Sequence, residues 1–143
     1  MNKWMLVGFA VLLCVAILFC CLWIDEKNSH EDLEFLCQAS AAQCLTALRD
    51  YDSSGNEGSY MKAVAEFRTF MNSYGWLMEG KGKSLHYNIC GKVYGCLVYD
   101  QDASKALIGD LTKAVRLLAA DIFDENAYLQ LNGFVNAVEH GTQ

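Results

Sequence analysis

Between Trp4 and Ile24 the chain runs for 21 residues without a charge and without a proline. Leu, Val, Ala, Ile, Phe, Cys and Trp fill almost all of those positions. Coiled into a helix at ~1.5 Å per residue, the run is roughly 32 Å long, close to the ~30 Å hydrocarbon thickness of a bilayer. The sequence therefore predicts a transmembrane anchor at residues 1–24, with the rest of the chain held beside a membrane.

A secretory signal has a shorter apolar core of ~7–15 residues and then a small-x-small cleavage site. Here the run closes on Cys20-Cys21-Leu22-Trp23-Ile24, which offers no small pair. An uncleaved, single-pass anchor is expected. Trp4 and Trp23 stand near its two ends, where indole rings favour the headgroup region, and are the expected membrane-interface residues. Lys3 precedes the run, whereas Asp25, Glu26, Lys27, His30, Glu31 and Asp32 follow it. The small basic excess on the short side places the N-terminus in the cytoplasm and the bulk of the chain outside, periplasmic or extracellular. Cys14, Cys20 and Cys21 within the run read as small apolar filler. Gly8, Ala10 and Ala16 form no small-xxx-small motif, so the run itself gives little sign of pairing with another span.

Residues 25–29 are read as a short juxtamembrane link and 30–143 as one domain, long enough for its own core. All 17 acidic residues and 10 of the 11 basic ones follow Ile24, which leaves that part at about −7. Phosphate binding needs clustered Lys and Arg. None is present, so nucleic acid is excluded as a partner.

The chain has no proline, and its apolar residues recur at helical spacing. Ser29 is the expected cap of a first helix with Leu33, Leu36, Cys37, Cys44, Leu45 and Leu48 inward. A second carries Met61, Val64, Phe67, Phe70, Met71, Tyr74, Leu77 and Met78. A third, from about Ser84 to Tyr99, buries Leu85, Ile89, Val93, Cys96 and Leu97. Asp102 and Asp124 are expected to cap a fourth and a fifth, the latter with Leu129, Phe134, Val135 and Val138 inside. No stretch alternates with period two. The fold class is all-α: an N-terminal transmembrane helix followed by an antiparallel four- or five-helix bundle.

Asp50-Tyr51-Asp52-Ser53-Ser54-Gly55 matches the first half of an EF-hand calcium loop, with Asp50, Asp52 and Ser54 as candidate metal ligands. The twelfth loop position, where a bidentate Glu belongs, is Met61, so any affinity would be weak. Four cysteines lie beyond the run. Cys37 and Cys44 are seven apart on one helix, about 10.5 Å along its axis, too far for a mutual disulfide. If helices one and three run parallel, Cys37 faces Cys90 and Cys44 faces Cys96, and these are the disulfide candidates for an oxidising compartment. Gly82-Lys83-Ser84 ends like a phosphate-binding loop, but Leu77 stands where its first glycine belongs. His30, His86 and His140 fall in three different elements. Asp121, Asp124 and Glu125 are the densest acidic group, at a point where one helix stops and the next begins, and capping is expected to explain them. No catalytic motif and no cofactor site is found, and the chain is read as no enzyme.

The function expected from these features is a membrane-anchored, non-enzymatic protein-interaction or accessory module of a membrane or envelope assembly. Its partners would be the bilayer, through residues 4–24, and an unknown protein. Tyr60, Tyr74, Trp76, Tyr87, Tyr94, Tyr99 and Tyr128 supply rings of the kind that favour interfaces. The alternatives are a ligand- or weak calcium-binding helical domain, or a small subunit of a larger membrane complex.

Overall fold

The computed structural model describes residues 3–79 and 85–141, with side chains from Leu12 onward, Asn28 excepted. The chain divides into two compact units, Met1–Asp32 and Leu33–Gln143. The described residues form six helices: α1 (Lys3–Ser54), α2 (Glu57–Leu77), α3 (Leu85–Tyr99), α4 (Gln101–Ala106), α5 (Ile108–Ala120) and α6 (Glu125–Gly141).

Residues 25–29 are helical, and the expected cap at Ser29 is not formed, because α1 is continuous for 52 residues. From Phe9 to Ser54 there is neither glycine nor proline, so nothing removes a hydrogen bond or loosens the backbone. The charged stretch also suits a helix: Lys27 and Glu31 pair at 3.7 Å one turn apart. What ends α1 is Gly55, whose φ of 65° few other residues tolerate. Its N–H donates to the Tyr51 carbonyl at 2.7 Å. The side chain of Asn56 then accepts from the Gly58 N–H at 2.8 Å and starts α2.

Within the second unit the helices form an antiparallel bundle, read from pairs that cross between them. The Cys44 thiol in α1 donates to the Ala63 carbonyl in α2 at 3.4 Å. Tyr60, at the start of α2, donates from its phenol to the Leu97 carbonyl near the end of α3 at 2.8 Å. Gln38 in α1 reaches the carbonyls of Ala119 and Ala120 at the end of α5, both at 3.3 Å. Thus the bundle part of α1, α3 and α6 run one way, and α2 and α5 the other. The expected fourth helix is broken at Leu107, which caps both α4 and α5. Lys105 in α4 holds Glu57 in α2 at 2.8 Å.

Each helix buries one stripe. The largest fully buried side chains are Tyr60, Tyr74, Tyr128, Phe67 and Phe70. Several inward assignments shift to a neighbouring position. Met61 gives way to Tyr60, Leu85 is exposed while Cys90 is buried, and Leu129 gives way to Tyr128 and Leu131. Tyrosine goes inside at two of these places because its hydroxyl finds a carbonyl there. Tyr128, for instance, donates to Ile122 at 2.6 Å.

Candidate functional site

In the first unit, every described side chain from Leu12 to Lys27 is exposed. That includes Leu12, Leu13, Ile17, Leu18, Phe19, Leu22 and Trp23, the last at 70 %. Among the described residues no helix is long and apolar enough to cross a membrane. The side chains of 1–11, Trp4 among them, lie outside the described residues, and the described part of the apolar run is the 13 positions from Leu12 to Ile24.

The calcium candidates are not assembled. Asp50, Asp52 and Ser54 sit on the last turn of α1 instead of in a twelve-residue loop. Two residues apart on a helix, Asp50 and Asp52 point about 200° away from each other and cannot converge on one ion. The Ser54 hydroxyl donates to the Asp50 carbonyl, which spends it on closing the helix. Among the described residues no group of three or more His, Cys, Asp or Glu is placed to hold a metal. The Gly82-Lys83-Ser84 motif lies outside the described residues.

Cys37, Cys44, Cys90 and Cys96 are all free thiols inside the bundle. Cys37 and Cys90 approach closely enough that ionising one would hold the other's proton more tightly. Cys44 instead faces α2 and Cys96 faces the α6 side near Glu139, so the second expected pair is not formed. Burial pushes the Cys37 thiol up to about 11, with Glu34 adding to it, and the Cys90 thiol up to about 12. Burial raises Cys44 and Cys96 as well. These are core thiols, kept protonated by their surroundings and poor nucleophiles as a result.

The densest polar constellation in the bundle is one that sequence patterning does not single out. His86, near the start of α3, is half-buried. One of its ring nitrogens, Nδ1, lies 3.2 Å from the Tyr74 hydroxyl of α2, and the other, Nε2, 3.1 Å from the Glu125 carboxylate at the start of α6. The ring lies flat on Tyr128, with centroids 3.8 Å apart and planes at 5°. Tyr74 also packs against Phe70 and Phe123. With a proton on Nε2, the imidazole donates to Glu125 and accepts from Tyr74. Both nitrogens and one face are therefore occupied in tying three helices together. Gly75 makes room for the same corner: a Cβ there would stand 2.8 Å from the Tyr87 ring. Of the acidic group at this corner, Asp121 and Asp124 do cap, accepting from the Phe123 and Asn126 N–H groups, and Glu125 turns to His86 instead.

Beside this corner a groove of about 840 Å³ runs between α3 and α6, with Met71 of α2 at one side. Its walls are Leu85, Tyr87, Ile89, Tyr94 and Leu129, and its polar groups are Asn88, Lys92, Glu125 and Asn132. Arg68 lies over the Tyr94 ring at 6.0 Å. Gly91 lies in the wall. Gly91 and Gly95 are four apart, the spacing that admits a close neighbouring helix, yet a methyl group added to either would meet nothing within 4 Å. Of the rings offered for interfaces, Tyr60, Tyr74 and Tyr128 are core, Trp76 and Tyr99 are exposed, and Tyr87 and Tyr94 line the groove. No protein family, no curated protein and no solved structure matches the chain.

Proposed function

We propose that the protein is a single-pass, membrane-anchored helical module that works by binding a protein partner and catalyses nothing itself. The observation that carries the reading is the exposure of every apolar side chain from Leu12 to Ile24. Thirteen uncharged positions, exposed on all sides of a helix, are covered by no described residue of this chain, and hydrocarbon is a solvent that suits them. With Trp4 to Val11 they make a run long enough to span. Lys3 on the short side and the acidic residues from Asp25 on favour a cytoplasmic N-terminus, with the bundle outside as part of an envelope or membrane assembly.

The groove between α3 and α6 is the partner surface in this reading. It combines aromatic walls, which give area at low entropic cost, with a few polar groups that fix orientation. His86 supports the choice against catalysis, since its nitrogens are spent on Tyr74 and Glu125. A photoreactive residue placed at Lys92 in native membranes should give one discrete adduct, and the same residue at Lys113 on the α5 face should give none. Equal adducts from both positions, or none from either, would sink the reading.

A second reading, a ligand-binding domain, is favoured by the groove's size, which falls in the range of about 300–1,000 Å³ usual for small-molecule sites. Native mass spectrometry of the purified chain separates the two: a bound amphiphile supports the ligand, and a bare mass supports the protein partner.

A further inference from the structure

Eight large apolar side chains of the bundle unit are exposed, and they are not spread evenly. Phe35, Leu36, Trp76, Leu85, Phe123 and Leu129 all belong to one end. That end is defined by contacts between elements: Tyr74 with His86 and Phe123, His86 with Glu125, and Gln38 with Ala119. Only Met61 and Tyr99 belong to the other end, where Tyr60 meets Leu97. Phe35 is 74 % exposed, Trp76 65 %, Leu85 71 % and Leu129 70 %. The crowded end also holds Phe35 and Leu36, which follow the apolar run closely in sequence.

We propose that this end of the bundle rests in the lipid headgroup layer, with Trp76 and Phe35 as its interfacial contacts; the proposal rests on the membrane-anchored reading above. Three observations carry it. The first is chain continuity: only the eight residues from Asp25 to Asp32 separate the apolar run from Leu33, a rise of about 12 Å in a helix. The headgroup layer is about 5–8 Å deep on each side of the hydrocarbon, so a connection of eight residues is too short to carry the bundle far from it. The second is chemistry. Trp and Phe beside exposed Leu form an apolar patch with a polar indole N–H, the mixture that partitions to the headgroup level. The third is charge. The bundle unit is acidic, with Glu34, Asp121, Asp124 and Glu125 near this end, so the attraction is apolar and calls for zwitterionic lipid. Leu85 and Leu129 also form the rim of the groove, so a partner seated there would meet the bundle at the membrane surface.

The test uses the full chain in phosphatidylcholine vesicles. Trp4, Trp23 and Trp76 are its three tryptophans, so W4F with W23F leaves Trp76 as the only indole, and W4F with W76F leaves Trp23. Vesicles carrying bromine near the head of the acyl chain should quench Trp76, and aqueous iodide should not. Quenching of Trp23 by brominated lipid, with Trp76 quenched only by iodide, overturns this inference and leaves the anchor standing. A chain that does not float with the vesicles, with both indoles open to iodide, overturns the anchored reading as well. Circular dichroism of both variants confirms that the bundle is folded in each arm.

Discussion

One helix carries two apolar regions that behave differently. From Leu12 to Ile24, α1 is apolar on every side and exposed on every side. From Cys37 to Leu48 only one stripe is covered, by Cys37, Ser40, Ala41, Cys44, Ala47 and Leu48, with Gln38, Ala42, Gln43 and Thr46 facing out. The second region has the period of a helix lying on other helices. The first has no period at all, as expected of a helix surrounded by one apolar solvent. The difference teaches that apolar content alone does not make a protein core. The periodic stripe is covered by the bundle, and the run without a period is covered by no described residue of the chain.

The comparison breaks most visibly if the same kind of change has the same effect in both regions. Leu13→Arg with Ile17→Arg places two charges near the middle of the run, each costing about 2.5–3.5 kcal/mol in a bilayer. Membrane association should be lost, while the urea midpoint of the bundle stays where it was. Leu48→Ala should do the reverse. It removes a fully buried side chain at a cost of about 2–5 kcal/mol, seen as an earlier urea midpoint with the chain still in the membrane fraction. A smaller effect is expected at the corner where three helices meet. His86→Ala leaves the Tyr74 hydroxyl without that partner and removes the stack on Tyr128, for about 1–3 kcal/mol. Because Glu125 is largely exposed, a double-mutant cycle between His86 and Glu125 should return a coupling of less than about 1 kcal/mol.

A separate effect is in pH. Thiols have an ordinary value near 9, and in the folded bundle burial moves Cys37 to about 11 and Cys90 to about 12. The unfolded chain therefore releases those protons first as pH rises. The stability these thiols contribute is complete below about pH 9 and declines from there towards about pH 11–12. Urea midpoints should be level between about pH 7 and 8 and fall above about 9. A midpoint that rises with pH in that window would contradict the burial of these thiols.

How much of this is legible in the sequence follows from the same contrast. The helical class and the approximate limits of α2, α3 and α6 follow from 3.6-residue spacing, the turn at Gly55 and the cap at Asp124. The inward face differs from expectation at Leu36, Met61, Leu85 and Leu129, where a nearby tyrosine or cysteine, half polar by type, is the buried side chain. The cap expected at Ser29 does not form: α1 runs through it, with neither glycine nor proline from Phe9 to Ser54 to loosen the backbone. Asp50, Asp52 and Ser54 are not brought together, because the motif falls in a segment whose backbone stays helical to Ser54. The groove and the Tyr74–His86–Glu125 corner have no signal in spacing at all, since their members come from three helices and meet only after the bundle closes.

The most direct measurement is on the wild-type chain in sealed vesicles, treated with a water-soluble maleimide and read cysteine by cysteine by peptide mapping. Cys14 lies near the middle of the apolar run, and in hydrocarbon its thiol neither ionises nor meets the reagent. The account predicts that Cys14 stays unlabelled in intact vesicles and labels fully in detergent with urea. Labelling of Cys14 in intact vesicles would contradict it, because the run would then lie in water and the module would have no anchor.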